Sequence, residues 1–293
     1  MADSTRESTA REFEIVVYGA TGFVGALTAE YLARHAPDGT TVALAGRSRD
    51  KLESTRRGLP ARAADWPLVV ADADDEAALT ALAQRTSVVL TTVGPYAKYG
   101  RVLARVCAES GTDYVDLTGE VLFARASADE NHETAVRTGA RIVHSCGFDS
   151  VPSDIGVFEL HRKVTEDGAG DLTDTTLVVT SMSGGVSGGT IDSLRGQIDE
   201  ITKDRAAAKL AASPYSLSPD RSIEPDFGRQ NDAPVLKGSS IHPSLKGWKA
   251  PFVMASYNTR VVRRTNAILG YPYGKTFKYN EVMSVGSSPA SPV

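Results

Sequence analysis

Residues 15–25 read Ile-Val-Val-Tyr-Gly-Ala-Thr-Gly-Phe-Val-Gly, an apolar strand running directly into three glycines at Gly19, Gly22 and Gly25. Few short segments constrain a fold more. The strand delivers the chain to a tight turn, the absent Cβ atoms leave room for a pyrophosphate, and the next helix aims its N-terminus at the phosphates. Phe23, Val24, Leu27, Tyr31 and Leu32 recur at helical spacing, which predicts a helix over 22–35 with those side chains as its apolar face. Strand, glycine turn and amphipathic helix, in that order, distinguish a dinucleotide fingerprint from an ordinary Gly-rich turn. The expected cofactor cradle is Gly19, Ala20, Thr21, Gly22, Phe23, Val24 and Gly25.

The same alternation continues. Strands are expected at 41–45, 68–71, 88–93, 114–117 and 140–145, with helices after 48 and over 76–84, 99–109 and 121–138. The nearly continuous apolar run 88–93 suits a parallel strand covered on both faces. Strict alternation of strand and helix predicts an α/β fold, a doubly wound parallel sheet over 13–150 preceded by a disordered lead, 1–12. Beyond 150 the pattern changes. A helix over 151–163 carries Pro152 in its first turn, 177–182 reads as a strand, 190–211 as a helix, 213–250 as an irregular excursion rich in Pro, Ser, Gly and Asp, and 252–262 and 275–285 as strands. The expectation is a second, mixed α+β domain over 151–286 and a disordered tail, 287–293.

With 293 residues, 41% of them apolar, the chain has material for one large or two ordinary domains. A net charge of −4 implies no general affinity for nucleic acid. Cys107 and Cys146 form no CxxC pair or metal spacing, so no metal is expected and a reducing cytoplasm fits. The polar first dozen residues carry no apolar signal-peptide region, and no stretch approaches the ~18 apolar residues of a membrane span. Contact with a membrane surface stays open, as does the oligomeric state, with a homodimer among the candidates.

In this fold a carboxylate ~20 residues beyond the glycines holds the ribose 2′-hydroxyl of NAD. Here the end of the second strand reads Ala45-Gly46-Arg47-Ser48-Arg49, with no carboxylate. A guanidinium and a hydroxyl bind a 2′-phosphate that a carboxylate would repel, so Arg47 and Ser48 predict NADP(H). Asp72, past the third strand, is placed to meet the adenine edge or to cap a solvated turn.

Ligands in open α/β sheets bind outside the carboxyl ends of the strands. Val93, Gly94 and Pro95 end the fourth strand and let backbone approach the nicotinamide, with Tyr96 or Tyr99 leaning over the reacting centre. A tyrosine whose pKa a neighbour lowers could donate a proton, although each also fits a plain amphipathic wall. Cys146, Asp149, Ser187 and Gly188 are candidates for the substrate side. No motif marks Cys146 as a nucleophile and a buried, inert thiol is its default, while Asp149 and Asp154 also suit the start of a helix.

The segments 17–25, Ala-Gly-Arg-Ser (45–48), Thr-Val-Gly-Pro-Tyr (92–96), Tyr-Val-Asp-Leu-Thr-Gly-Glu (114–120), Gly-Phe-Asp-Ser-Val-Pro-Ser-Asp (147–154), Ser-Gly-Gly-Thr (187–190), Asn-Thr-Arg-Val-Val-Arg-Arg (258–264) and Met-Ser-Val-Gly (283–286) together resemble the saccharopine dehydrogenase-like oxidoreductases. The closest branch is the actinobacterial trans-acting enoyl reductases. The resemblance implies a Rossmann domain, a nicotinamide cofactor, and reduction of an α,β-unsaturated acyl thioester carried by a polyketide synthase in complex lipid synthesis. Members of the branch run on for roughly another hundred residues, so the second domain is expected to be truncated.

Other readings are weaker. The Tyr-x-x-x-Lys of a short-chain dehydrogenase matches only Tyr271 to Lys275, where Pro272 and Gly274 break a helix. Gly185-Val186-Ser187-Gly188-Gly189 matches a nucleophile elbow, but the parallel strands precede it and only His242 follows. A saccharopine dehydrogenase-like amino-acid enzyme needs charged pockets, for which Arg260, Arg263 and Arg264 are candidates, although a solvated face is the expected role of that cluster. A non-catalytic NADP-binding interaction module is the remaining alternative.

Overall fold

The computed structural model describes residues 11–182, 188–274 and 276–288. The chain divides into two units. The first holds the described residues up to Thr118, with Phe123–Cys146 and Asp192–Gly196; the second holds Gly119–Leu122, Gly147–Ile191 and the chain from Gln197.

In the first unit, β1 (Phe13–Tyr18), β2 (Val42–Gly46), β3 (Leu68–Val70), β4 (Thr86–Thr91), β5 (Asp113–Val115) and β6 (Ile142–Val143) alternate with α1 (Phe23–His35), α2 (Arg49–Gly58), α3 (Glu76–Arg85), α4 (Tyr96–Ser110) and α5 (Val121–Thr138). The strands form one sheet in the order β3-β2-β1-β4-β5-β6, with every pairing parallel. Its order reverses between β1 and β4, which opens the crevice where such sheets bind ligands. Val17, Leu44 and Leu52 pack in one apolar cluster, and Val16, Leu79, Leu82, Val89 and Leu103 in another. Residues 11 and 12, expected in a disordered lead, are tied down: Arg11 donates to the Ser110 carbonyl at 2.7 Å and Glu12 pairs with Arg85.

α1 departs from its expected orientation. Gly25, Ala29 and Ala33 are its buried residues, whereas Phe23, Leu27 and Tyr31 are 77%, 51% and 64% exposed. The two rows stand on opposite faces of the helix. Small residues face inward because the helix seats closely on the glycine turn: a Cβ on Gly25 would lie 2.2 Å from the Gly19 carbonyl oxygen.

The second unit contains α6 (Val151–Glu166), β7 (Asp174–Val179), both ends of α7 (Gly188–Lys203), α8 (Arg205–Ala212), β8 (Leu236–Lys237), β9 (Trp248–Pro251), α9 (Ala255–Ile268) and β10 (Lys278–Gly286). Its sheet runs β7-β10-β9-β8, with β10 parallel to β7 and the other pairs antiparallel. Val157, Leu172, Val262, Tyr273, Phe277 and Tyr279 form its core. The single helix expected over 190–211 is two, separated at Asp204, whose carboxylate caps α8 by accepting from the Ala206 and Ala207 N–H groups.

The strand expected at 252–262 is instead the helix α9. Its buried face is largely polar, including Asn258, Thr259, Arg260, Arg263 and Asn266, so apolar periodicity did not show it. Arg260, Arg263 and Arg264 are therefore not a solvated face. Asp232 takes Arg260 at one carboxylate oxygen and Arg263 at the other, each at 2.9 Å. The three guanidiniums also donate to the Ala211, Pro214 and Leu217 carbonyls, fastening the irregular excursion to α9.

Candidate functional site

The glycine turn follows from local chemistry. Gly19 has φ +88°, which side chains avoid, and a Cβ there would stand 2.6 Å from Val93 Cγ2. Its N–H donates to the Ala45 carbonyl and its own carbonyl accepts from the Gly22 N–H at 2.9 Å, closing the turn. Gly22 is the N-cap of α1 and supplies no side chain to it. The first-turn N–H groups of α1 are thus left without a side-chain cap, the arrangement an anion requires.

A cleft of about 370 Å³ opens above this turn, lined by Tyr18, Gly19, Thr21, Gly22, Gly46, Arg47, Asp72, Ala73, Asp74, Thr92, Val93, Gly94 and Tyr99. Of the sequence-derived cofactor residues, Gly19, Thr21, Gly22, Arg47, Asp72, Val93 and Gly94 line it together. Ala20 is fully buried and Gly25 seats α1, so both shape the turn. Phe23 and Val24 begin α1, Ser48 caps α2 by accepting from the Lys51 N–H at 3.5 Å, and Pro95 caps α4; none of these side chains is part of the lining. Arg47 is exposed and has no hydrogen-bond or ion-pair partner among the described residues, leaving its guanidinium available to an anion. Asp72 accepts from the Asp74 N–H at 3.2 Å, so it shapes its turn while facing the cleft. Tyr18, Gly46, Ala73, Asp74 and Thr92 are additional lining residues; each lies within two positions of a residue already singled out.

The two candidate tyrosines separate. Tyr96 is buried, and its hydroxyl donates to the Thr91 carbonyl at 3.3 Å while accepting from the Leu117 N–H at 3.4 Å. It ties the end of β4 to the loop after β5. Tyr99, half-buried, faces the cleft.

At the ends of β5 and β6 the structure adds a cluster that motif reading did not assign. The buried Asp116 carboxylate accepts from the Tyr114 hydroxyl at 2.9 Å, from the Thr118 and Ser145 N–H groups at 3.0 Å, and from His144 Nδ1 at 2.7 Å. Burial and the Asp116 charge push the Tyr114 phenol well above its ordinary value, so it remains a donor. Ser145, at φ +65°, is held in the left-handed region by this bond. The available signal was period two, which puts Tyr114 and Asp116 on one side of their strand.

Cys146, expected to be buried, is exposed. Partial desolvation, reinforced by the Asp116 charge, nevertheless pushes its thiol up to about 11, which keeps it protonated near neutral pH. Asp149 and Gly188 belong to the second unit and Cys146 to the first, while Ser187 lies outside the described residues. Burial raises the Asp149 pKa above the usual carboxylate value. Asp154, in the first turn of α6, accepts from the Thr265 hydroxyl at 2.9 Å. Gly188 opens α7. No group of His, Cys, Asp and Glu suited to a metal occurs among the described residues, and no helix there is long and apolar enough to cross a membrane.

A parallel sheet with this order, a glycine turn at its switch point and an arginine at the end of β2 define a Rossmann-type NADP(H)-binding oxidoreductase domain. Residues 15–143 match the family described as the saccharopine dehydrogenase NADP binding domain. The chain is 53% identical over 287 residues, 98% of its length and 68% of the relative's, to a Mycobacterium tuberculosis protein named as a candidate trans-acting enoyl reductase. It is 51% identical over 285 residues, 97% of its length and 68% of the relative's, to a trans-acting enoyl reductase of Mycobacterium leprae. Among solved structures it resembles apo saccharopine dehydrogenase (L-Glu forming) of Saccharomyces cerevisiae, with a TM-score of 0.47 and 19% identity over 57% of this chain and 34% of that one. The chain belongs to the saccharopine dehydrogenase-like oxidoreductases, in the branch of the mycobacterial trans-acting enoyl reductases.

Proposed function

We propose that this protein reduces the carbon–carbon double bond of an α,β-unsaturated acyl thioester, presented by the acyl carrier domain of a polyketide synthase during complex lipid synthesis. The observation that carries this reading is the 50–53% identity to relatives named trans-acting enoyl reductases, spanning nearly the whole chain. When bound, NADPH would supply the hydride that the β-carbon accepts, and a proton drawn from solvent at the α-carbon would complete the reduction.

The chain's own residues do the positioning. The uncapped first turn of α1 and the turn at Gly19 and Gly22 receive the pyrophosphate, and Arg47 receives the 2′-phosphate. Tyr96 is ill placed to donate a proton to substrate, because its hydroxyl donates to one backbone group and accepts from another. The amino-acid alternative finds no support in Arg260, Arg263 and Arg264, whose guanidiniums are occupied by Asp232 and backbone carbonyls.

Single-turnover oxidation of NADPH, followed with an enoyl thioester on phosphopantetheine and on an isolated carrier domain, tests this. Conversion of the enoyl to the saturated acyl group, seen by mass spectrometry, supports it. Tight NADPH binding without reduction on either carrier would favour the non-catalytic module.

A further inference from the structure

We propose that Tyr99 is the platform on which the adenine of the dinucleotide stacks, steadied by Lys98, and that it is not the proton donor its place after β4 suggests. The inference rests on the NADP(H) reading of the cleft and extends it from the phosphates to the base.

Topology places Tyr99 at the adenosine end. α3 and α4 follow β3 and β4 and both begin at the carboxyl edge of the sheet. The helices lie side by side, joined by the Arg105–Glu76 pair at 2.7 Å. That pair links the start of α3 to the third turn of α4, and Tyr99, in the first turn of α4, shares the cleft wall with Asp72, Ala73 and Asp74 from the turn before α3. Arg47, at the end of β2, lines the same cleft. The ends of β2 and β3 belong to the adenosine half of a dinucleotide, so a ring sharing their wall is placed to meet the base.

The groups gathered there match a 2′-phosphoadenosine part by part. Arg47 offers a guanidinium to the phosphate, the Asp72 and Asp74 carboxylates offer acceptors to an exocyclic amino group, and Tyr99 offers a π-face to the purine. Lys98 carries its ammonium 4.7 Å from the Tyr99 ring centroid. Its pKa is raised, first by the hydrogen bond and charge interaction with Tyr99 and more weakly by Asp74, in keeping with that contact. Lys98 is thus a positioning residue acting through Tyr99.

Calorimetric titration of the whole chain with 2′,5′-ADP and with 5′-AMP, neither of which has a nicotinamide, tests the assignment. Tyr99→Leu is expected to weaken both probes alike, by roughly 5- to 100-fold. Lys98→Met is expected to weaken both by about two- to fivefold. Tyr99→Phe, which keeps the ring and loses only the hydroxyl, is expected to bind both probes within about twofold of the unsubstituted protein. Unchanged affinity for both probes in Tyr99→Leu overturns the platform, and a collapse of turnover in Tyr99→Phe at unchanged affinity overturns the exclusion of proton transfer. Equal affinity of the unsubstituted protein for the two probes contradicts the NADP(H) reading instead, and the Tyr99→Leu effect on 5′-AMP still decides the platform.

Discussion

Gly25 presses against Gly19: a Cβ at position 25 would lie 2.2 Å from the Gly19 carbonyl oxygen and 2.9 Å from the Ala20 Cα, inside any tolerable contact. The neighbours are backbone and cannot rotate away. Gly25→Ala is therefore expected to lift α1 from the turn, costing about 1–3 kcal/mol of stability and abolishing NADPH binding. Gly22→Ala is the contrasting case. Its Cβ would stand 3.4 Å from the same oxygen, so the fold accommodates it, but the methyl projects into the cleft. Thermal unfolding paired with NADPH titration should show both properties lost in the first variant and only binding lost in the second.

The Asp232 carboxylate holds two nearly buried guanidiniums, Arg260 and Arg263, each at 2.9 Å. Removing it strands both charges. Asp232→Ala is expected to cost roughly 3–5 kcal/mol in urea unfolding, far above an exposed pair. A loss below about 1 kcal/mol would mean that the triad contributes no more than a surface contact.

Glu281 is fully buried, accepting from the Tyr279 hydroxyl at 2.9 Å and from Asn258 Nδ2 at 3.1 Å. Burial nevertheless dominates these bonds and raises its pKa above the ordinary 4.5. The folded protein then holds this proton more tightly than the unfolded chain. The stability that results is complete below about 4.5 and is lost as pH rises through the raised folded value. Asp149 and Asp154, also raised by desolvation, act with the same sign. Glu281→Gln should flatten the decline in denaturant midpoint over this range, whereas an unaltered slope would assign it elsewhere.

Cys146 combines exposure with a thiol pushed up to about 11. Near neutral pH its alkylation by iodoacetamide is expected to be several-fold slower than that of an ordinary exposed thiol, and to accelerate only as pH climbs toward that value. Asp116→Asn removes a nearby negative charge and should speed the reaction. Equal rates in both proteins would rule out the Asp116 charge as a cause.

How far sequence reading reached can be seen in three elements. The β1–Gly19–α1 turn was readable because local residues dictate it: the apolar strand, the glycine at φ +88° and the helix are all contiguous. The facing of α1 was not, because helical spacing does not say which row turns inward: Phe23, Leu27 and Tyr31 are exposed, while close seating on the turn selects Gly25, Ala29 and Ala33. α9 was read as a strand because its Val- and Tyr-rich start suits one, whereas its real determinant is a polar row engaging residues far away in sequence. The candidate site divides similarly. Arg47 follows from its place after β2, but the burial of the Tyr96 hydroxyl and the turn of Tyr99 toward Asp72 and Asp74 depend on how α3 and α4 pack.

The central claim is that the cleft above Gly19 and Gly22 holds NADP(H), with Arg47 gripping the 2′-phosphate. Calorimetric titration of NADPH and NADH into the protein and into Arg47→Ala tests it most directly. The account predicts a clear preference for NADPH, and a loss of roughly 10- to 100-fold on NADPH alone in the variant, as expected for a hydrogen bond to a charged group. Equal affinity for the two cofactors, or a preference that survives Arg47→Ala, would contradict it.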